Sequence, residues 1–380
     1  MIIKIKKDVL IKKVSMLSKL CTTSSNNPIL STILFETKGK NTVELIAFNT
    51  VIGCKTTVDN EVENDEVNSF TVNASFLMNC LSKAPANSVI NLKIEKDTEK
   101  LNISYNNGKV KYSTLTHPAD EYPELPKFSE EESASITVEN LIKGIDSTLY
   151  CIEDGKDGKP RGLNIVIDNK NLSFRSLANS RLCEYTIDNE YDGKKFNAVI
   201  SKDNAKYIRD IAFKEIKEDD DIVTIIKDTN HISFALYDYT VISIAMAGEE
   251  YNFEQFLPKQ STTKIRVKKS DLENSLIRVS PVIESAFKNP VIAEVTEKGI
   301  DLTTVSNIGK SKIFCEFENF EGKAIKLGFN LSYMLEALKN ISSEEVEILF
   351  AGPVSSVVIF NIDNKKNYAL FLPLRIKDSY

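Results

Sequence analysis

Residues 2–17 read IIKIKKDVLIKKVSML, a short alternating stretch followed by a helical one. Alternation of apolar and charged residues with period two is typical of a β-strand. In the second part, Leu10, Val14 and Leu17 recur at i, i+4 and i+7, which is the spacing of one helix face. The chain is therefore predicted to begin with a strand that leads directly into an amphipathic helix.

The same order of strand and helix occurs twice more. ITVENLIKGIDSTL begins at Ile136 and KIRVKKSDLENSLIRV begins at Lys264. The leucines at equivalent places are spaced by 131 and 131 residues, and they are Leu10, Leu141 and Leu272. A proline ahead of the next apolar stretch repeats with spacings of 132 and 130, at Pro28, Pro160 and Pro290. Two independent markers with one period indicate a triplicated domain.

The repeat predicts an α+β chain of three similar domains, at residues 1–126, 133–258 and 262–380. A length of 380 residues accommodates three domains of ordinary size. Each third contains two helical stretches and several period-two stretches, including LNISYNNGKVKYSTL with a turn at residues 106–108. We expect each domain to place two helices on antiparallel sheet.

Composition excludes several classes of protein. No apolar run approaches the roughly 18–20 residues that cross a bilayer, and the first residues lack the apolar core of a signal peptide. A cytoplasmic protein without a membrane partner is expected. Six scattered cysteines without a C-x-x-C pair, together with only two histidines, predict neither a metal site nor a cofactor.

The charge is unevenly distributed. The chain has a net charge of −6, which by itself argues against nucleic-acid binding. The six helical stretches nevertheless carry +9 together and leave −15 for the remainder, and they are residues 4–20, 73–85, 139–151, 201–214, 266–280 and 330–341. Basic helices on an acidic, sheet-rich body predict that the helices face a polyanion.

No catalytic motif is present. The chain has no phosphate-binding G-x-x-x-x-G-K-[ST], no H-E-x-x-H and no G-x-S-x-G. This absence favours a binding or architectural protein. Two alternatives stay open from the residues alone. One is an enzyme with an inter-domain cleft, such as a nucleic-acid hydrolase, and the other is a monomeric scaffold that binds proteins through its repeated sheets.

Three stretches resemble one family, the bacterial DNA polymerase III beta subunit or replicative sliding clamp. HPADEYPELP at residues 117–126 is similar to the turn that ends the family's first domain. GFNLSYMLEAL at 328–338, followed by PVSSVVI at 353–359, is similar to a helix and strand of its third domain. YALFLPLRI at 368–376 is similar to its terminal strand. The resemblance extends over all 380 residues.

The resemblance implies a non-catalytic processivity factor that acts as a head-to-tail homodimer. Six domains would form a ring whose twelve helices line a hole around double-stranded DNA. Contacts to phosphates do not depend on the base sequence. The residues expected to face DNA are Lys12, Lys13, Lys19, Lys156, Lys159, Arg161, Lys202, Lys206 and Arg209.

The resemblance also implies a hydrophobic groove between the second and third domains that accepts short peptides. The expected partners are the replicative polymerase alpha subunit, the clamp loader and other proteins with a clamp-binding motif. The groove residues carried over from the family are Arg181, Leu182, Tyr251, Phe256, Asn330, Tyr333, Val354, Ser356, Leu370, Leu372, Pro373, Leu374, Arg375 and Ile376.

The dimer interface implied by the family would join the region of Tyr112 to Val282 and Ile283 of a second copy. Three features depart from the family pattern. The turn at residues 178–182 is one residue shorter, Gly162 replaces an aliphatic residue, and residues 377–380 extend past the usual end. These departures concern the detailed shape of the groove and its preference for peptides.

Overall fold

The computed structural model describes residues 2–21, 27–39, 41–59, 61–63, 69–95, 99–128, 133–152, 162–188, 195–215, 218, 221–246, 252–283 and 290–376. The described part of the chain contains six α-helices, and they match the six predicted helical stretches. These are α1 (Lys7–Leu17), α2 (Ala74–Lys83), α3 (Val138–Leu149), α4 (Lys202–Glu215), α5 (Lys269–Val279) and α6 (Leu331–Asn340). No helix in these ranges is long and apolar enough to cross a membrane.

The strands are antiparallel wherever they pair. Up to the middle of the chain they are β1 (Ile2–Lys6), β2 (Thr32–Lys38), β3 (Thr42–Phe48), β4 (Ile52–Asp59), β5 (Glu61–Glu63), β6 (Ser69–Asn73), β7 (Val89–Glu95), β8 (Lys100–Tyr105), β9 (Val110–Leu115), β10 (Ser133–Thr137), β11 (Leu163–Ile167), β12 (Asn171–Leu177) and β13 (Arg181–Asp188). The rest are β14 (Phe196–Ile200), β15 (Ile222–Lys227), β16 (His231–Leu236), β17 (Tyr239–Ile244), β18 (Thr263–Lys268), β19 (Val291–Thr296), β20 (Gly299–Val305), β21 (Lys310–Cys315), β22 (Asn319–Gly322), β23 (Ile325–Phe329), β24 (Glu345–Phe350), β25 (Val357–Asn361) and β26 (Tyr368–Phe371).

The predicted strand and helix repeat is confirmed. β1 leads into α1, β10 into α3 and β18 into α5 without an intervening loop. The three equivalent leucines are all buried, as a shared core position requires, and they are Leu10, Leu141 and Leu272. The second helix of each third begins with a polar cap. Asn73 accepts a hydrogen bond from the Phe76 N–H at 3.0 Å, and Ser201 accepts one from the Asn204 N–H at 3.2 Å.

The chain divides into two compact units. The first contains residues 1–139 and 210–245, and its sheets have the orders β5-β1-β7-β8-β9 and β10-β15-β16-β17-β4-β3-β2-β6. The second contains residues 140–209 and 246–380, and its sheets have the orders β14-β11-β12-β13-β26-β25-β24-β18-β22 and β21-β20-β19-β23. The α+β prediction, with helices on antiparallel sheets, is confirmed.

The division into two units rather than three has a physical reason. The middle third of the chain contributes strands to one sheet of each unit. β17 pairs with β4 in the first unit, and β13 pairs with β26 in the second. Backbone hydrogen bonds therefore cross both predicted boundaries. The exact boundaries at residues 126, 133, 258 and 262 stay a prediction.

Two details differ from expectation. Pro28 opens a short 3₁₀ turn, Pro28–Ser31, and the strand starts only at Thr32. The terminal stretch 368–376 is not one strand, because β26 ends at Phe371. The residues after Phe371 leave the sheet, and their course determines the shape of the candidate site.

Candidate functional site

The candidate site is built on the pairing of β13 with β26. Leu182 lies directly opposite Leu370 in this pair, and Leu370 lies opposite Val358 of β25. Residues opposite each other in antiparallel strands share a face of the sheet. These three side chains are buried in one apolar cluster with Phe253 and Tyr368. Two of the expected groove residues, Leu182 and Leu370, are thus brought together as its floor.

The floor is covered by a short 3₁₀ turn, Phe253–Phe256. The Asn252 side chain caps this turn by accepting a hydrogen bond from the Glu254 N–H at 3.1 Å. The Phe253 ring is fully buried in the apolar cluster. The Phe256 ring stands edge-on to it, with 6.4 Å between centroids, and remains 39% exposed. One aromatic ring of the turn therefore seals the core, and the other faces solvent.

Three of the expected groove residues expose large apolar side chains. Phe256 is 39% exposed, Leu372 is 46% exposed and Val354 is 70% exposed. All three belong to the second compact unit. Isolated exposed apolar residues need no explanation, but apolar residues at the edge of a buried apolar floor are typical of a site that is covered when a partner binds.

The segment Leu372–Ile376 leaves β26 and crosses to the four-stranded sheet. The Leu372 N–H donates to the Ser180 carbonyl at 2.8 Å, which prolongs the contact with β13. The Leu374 N–H donates to the Gly328 carbonyl of β23, also at 2.8 Å. Pro373 lies between these two donors and has no N–H to satisfy. The segment thus links the middle of the nine-stranded sheet to β23, the edge strand of the four-stranded sheet.

Arg181 forms the polar end of the site. Its side chain forms an ion pair with Glu336 of α6 and donates from Nη2 to the Tyr150 carbonyl at 3.0 Å. Its guanidinium carbon lies 4.6 Å from the Tyr333 ring centroid, within range of a cation–π interaction. The structure therefore brings Arg181 and Tyr333 together and fixes the direction of the guanidinium.

The remaining expected groove residues are more dispersed. The Asn330 side chain caps α6 by accepting a hydrogen bond from the Ser332 N–H at 2.9 Å, and so stabilises the helix. Arg375 is exposed, while Ser356, Leu374 and Ile376 are half-buried. Tyr251 and residues 377–380 lie outside the described residues.

The glycine that departs from the family pattern has a steric reason. A Cβ atom on Gly162 would lie 2.2 Å from the Ile200 carbonyl oxygen of β14. The Ile200 carbonyl oxygen belongs to the backbone and cannot move far enough to accept this atom. The pairing of β11 with β14 therefore requires glycine at position 162. The short turn at residues 178–182 is closed by a 2.8 Å hydrogen bond from the Ala178 N–H to the Arg181 carbonyl.

A buried polar group beside the floor was not predicted from the sequence. Arg175 donates from Nε to Glu184 Oε1 at 2.8 Å, and the Tyr368 hydroxyl donates to Glu184 Oε2 at 2.8 Å. Burial, followed by the nearby Glu184 charge, raises the pKa of Tyr368 far above its usual range, so this hydroxyl stays a donor. Period-two alternation in residues 171–188 was the only available signal, and it did not reveal which residues would pair across strands.

Exposed cations lie on α1 and just after it. Lys12 lies on the helix, whereas Lys19 lies in the turn that follows the helix end at Leu17, and both are exposed. Lys19 forms a 3.0 Å ion pair with Asp210. Surface ion pairs of this kind are weak, so the Lys19 ammonium remains available for a stronger anion.

Lys13 differs from its neighbours, and the expectation that it faces DNA needs correction. Its side chain is buried, with the residue only 8% exposed. Its ammonium lies 2.6 Å from Asp238 Oδ2 and 3.9 Å from the Tyr239 ring centroid. A cation neutralised inside the protein is not placed to meet a phosphate. The i, i+1 spacing from Lys12 already puts Lys13 on another side of the helix.

The cations of α4 form a mixed set. Lys206 is exposed, and Lys202 is exposed but donates to the Ile152 carbonyl at 2.9 Å. Arg209 is half-buried and lies 3.4 Å from Asp146. The other three cations expected to face DNA lie outside the described residues, and they are Lys156, Lys159 and Arg161.

The expected dimer residues lie on one edge strand and in one turn. Tyr112 lies on β9, which pairs only with β8 in the described part of the chain, and its hydroxyl lies 3.3 Å from that of Tyr105. β21 is likewise an edge strand of the four-stranded sheet. Val282 and Ile283 are half-buried in the turn after α5, and Ile283 packs on the core of the second unit.

The thiols are core side chains rather than nucleophiles. All six cysteines are free, and five of them are buried. Burial raises the pKa of the Cys21 thiol to about 12 and also raises the pKa of Cys183. A thiol needs its thiolate form to react, so both groups stay protonated and unreactive near neutral pH.

Comparison with known proteins agrees with this architecture at both ends of the chain. Residues 1–126 match the family model for the N-terminal domain of the DNA polymerase III beta subunit. Residues 254–375 match the model for its C-terminal domain. Together the two matches cover more than half of the 380 residues.

Relatives match along almost the whole length. The beta sliding clamp of Staphylococcus epidermidis RP62A is 23% identical over 380 residues, which covers 98% of each chain. A DNA polymerase III beta subunit structure from Eubacterium rectale is 26% identical, with a TM-score of 0.90 over 98% of this chain and 99% of that one. The structure of the Bacillus subtilis sliding clamp is 21% identical, with a TM-score of 0.91 over 99% of this chain and 100% of that one.

Both family models fall on the two ends of a chain that folds, over nearly its full length, like solved members of the same family. The chain belongs to the DNA polymerase III beta subunit family.

Proposed function

We propose that this chain is a DNA sliding clamp, a non-catalytic processivity factor that encircles duplex DNA and tethers a polymerase. The observation that carries the proposal is the full-length match to relatives described as beta sliding clamps, with both terminal domains matching the family. The lack of catalytic motifs and the protonated buried thiols agree with a non-enzymatic role.

The proposal is tested by asking whether the bound protein stays on circular DNA but slides off linear DNA. The chain is loaded with its clamp loader onto nicked circular DNA, separated by gel filtration, and the DNA is then cut once. A ring that encircles DNA stays on the circle in high salt and leaves after linearisation. Retention that is equal on circular and linear DNA would show ordinary binding and would contradict encirclement.

The sheet edges support a closed dimer. Two sheets of the chain already have eight and nine strands, because each is completed by strands from distant parts of the sequence. Among the strands that the structure describes, β9 is an end strand of the five-stranded sheet and β21 is an end strand of the four-stranded sheet. Pairing β9 of one copy with β21 of another would complete a nine-stranded sheet. Because each copy carries one edge of each kind, two head-to-tail contacts would close a dimer.

The apolar floor and its exposed edge support a peptide-binding role for the groove. Leu182 and Leu370 form the floor, while Phe256, Val354 and Leu372 supply exposed apolar surface. Arg181 and Tyr333 supply a fixed polar end. An apolar groove with few polar groups suits an extended peptide with apolar residues. The proposed partners are the polymerase alpha subunit, the clamp loader and other proteins carrying such a peptide.

The two aromatic rings of the 253–256 turn separate stability from binding. Phe253→Ala is expected to lower the free energy of unfolding by about 3 kcal/mol or more, since it leaves a cavity in the core. Phe256→Ala is expected to change stability by less than about 1 kcal/mol while weakening peptide binding, because its exposed ring is free to contact a ligand. Urea unfolding and fluorescence anisotropy with a labelled polymerase peptide measure the two effects. Equal losses of stability would contradict this division.

The exposed helix cations should set the salt dependence of DNA binding. For Lys12→Gln with Lys206→Gln, the slope of log affinity against log salt is expected to fall by about 2, since each phosphate contact contributes roughly 0.9. Titration of a fluorescent duplex at several salt concentrations gives the slope. The matched control is Lys109→Gln with Lys298→Gln, because both lysines are exposed in turns between strands. A fall of the same size in the control would assign the effect to net charge alone.

We also propose that the protein acts in the cytoplasm. Six free cysteines suit a reducing compartment. The contacts proposed for DNA involve phosphates only, so binding should not depend on base sequence.

A further inference from the structure

The segment Leu372–Ile376 carries exposed apolar surface of the proposed groove. Two backbone hydrogen bonds fix its path, from Leu372 to Ser180 and from Leu374 to Gly328. The second bond is an isolated bridge to the edge of β23 rather than part of a ladder. The position of Leu374 therefore depends on how closely the segment can approach β23.

That approach is close because residue 328 has no side chain. A Cβ atom on Gly328 would lie 3.0 Å from Ile376 Cγ1, 3.2 Å from the Leu374 carbonyl oxygen and 3.5 Å from Pro290 Cβ. The first two distances are shorter than ordinary van der Waals contacts. The Ile376 side chain can rotate away, but the Leu374 oxygen is backbone and moves only if the segment moves.

We infer that Gly328 is a positioning residue for the partner groove, because its missing side chain lets the terminal segment cross β23 and present Leu372 and Leu374. This inference rests on the groove proposed above. Gly328 itself is buried beneath the segment, so it acts through the residues that cover it. Its place in the middle of a strand, where glycine is otherwise unfavourable, agrees with a need for close backbone approach.

The test compares Gly328→Val with Lys326→Val. Both residues lie on β23 and on the same face, since they are two apart, but Lys326 is exposed. Hydrogen exchange of the C-terminal peptide reports the position of the segment. In Gly328→Val we expect exchange at Leu374 to accelerate at least ~10-fold, because its hydrogen bond to the Gly328 carbonyl is lost. We expect Lys326→Val to leave it unchanged.

Affinity for a fluorescein-labelled polymerase alpha-subunit peptide is measured on the same variants. It should fall ~10-fold or more for Gly328→Val, since a displaced site binds poorly, with the circular dichroism spectrum retained. Unchanged exchange, or faster exchange with unchanged affinity, would overturn the inference. If Gly328→Val does not fold, Gly328→Ala serves as the milder variant.

Failure of the proposed function and failure of the inference about Gly328 would give different results in these measurements. A wild-type chain that binds no such peptide would contradict the groove. Accelerated exchange in Gly328→Val would then still support the role of Gly328 in placing the segment, and unchanged exchange would remove that role as well.

Discussion

Replacing Leu372 and Leu374 with alanine is expected to abolish measurable binding of a polymerase alpha-subunit peptide while the chain stays folded. Leu372 is 46% exposed and Leu374 is half-buried, so both can lose further apolar surface to a ligand. Burying one such side chain contributes ~1.5–3 kcal/mol. A combined loss of about 3 kcal/mol lowers affinity more than ~100-fold. Fluorescence anisotropy measures the affinity.

The matched control is the pair Val51→Ala and Ile277→Ala. These side chains are 47% and 55% exposed and lie away from the groove residues in sequence. The control should retain wild-type affinity, and both double variants should keep the wild-type melting temperature within a few degrees. Wild-type affinity in Leu372→Ala with Leu374→Ala would remove the groove from this part of the chain.

Leu115→Glu combined with Phe314→Glu is expected to convert a dimer into a monomer of 42.6 kDa. Leu115 is 73% exposed on the edge strand β9, and Phe314 is 50% exposed on the edge strand β21. Carboxylates buried without partners in an apolar interface cost several kcal/mol each, on the order of the free energy that holds many dimers together. Light scattering on a size-exclusion peak measures the mass.

These two positions are better targets than Val282 and Ile283. Ile283 packs on the core of its own unit, so changing it would disturb the monomer as well. Phe213→Glu provides the control, because Phe213 is 68% exposed but lies on α4 rather than on a sheet edge. We expect the wild type and the control to have about twice the monomer mass. A wild-type monomer at micromolar concentration would contradict the ring, and a dimeric Leu115→Glu, Phe314→Glu variant would contradict this interface.

Much of the fold follows from local patterns in the sequence. The helices could be located because apolar spacing and caps such as Asn73 and Ser201 act within a few residues. The equal spacing of Leu10, Leu141 and Leu272 identified the repeat, and all three are core residues. The terminal motif at residues 368–376 indicates the family together with the repeat and the stretches at 117–126, 328–338 and 353–359.

Only part of the candidate site could be predicted in the same way. The resemblance implies that Leu182, Leu370 and Leu372 all lie on the apolar floor, but the structure buries the first two and leaves Leu372 46% exposed. Sequence alone does not distinguish Lys13 from Lys12, because the partner that buries Lys13, Asp238, is 225 residues away. Arg181 likewise owes its orientation to Glu336, 155 residues away.

The sequence by itself determined the helices, the repeat, the charge asymmetry and the family. Tertiary structure decided that the middle third shares its sheets with both neighbours, that β26 ends at Phe371, and that Gly328 lies beneath the segment that follows. The physical reason is the separation in sequence between the residues that interact. Periodicity and capping involve residues within a few positions of each other, whereas the pairing of β13 with β26 and the crossing of β23 join strands that are distant in sequence.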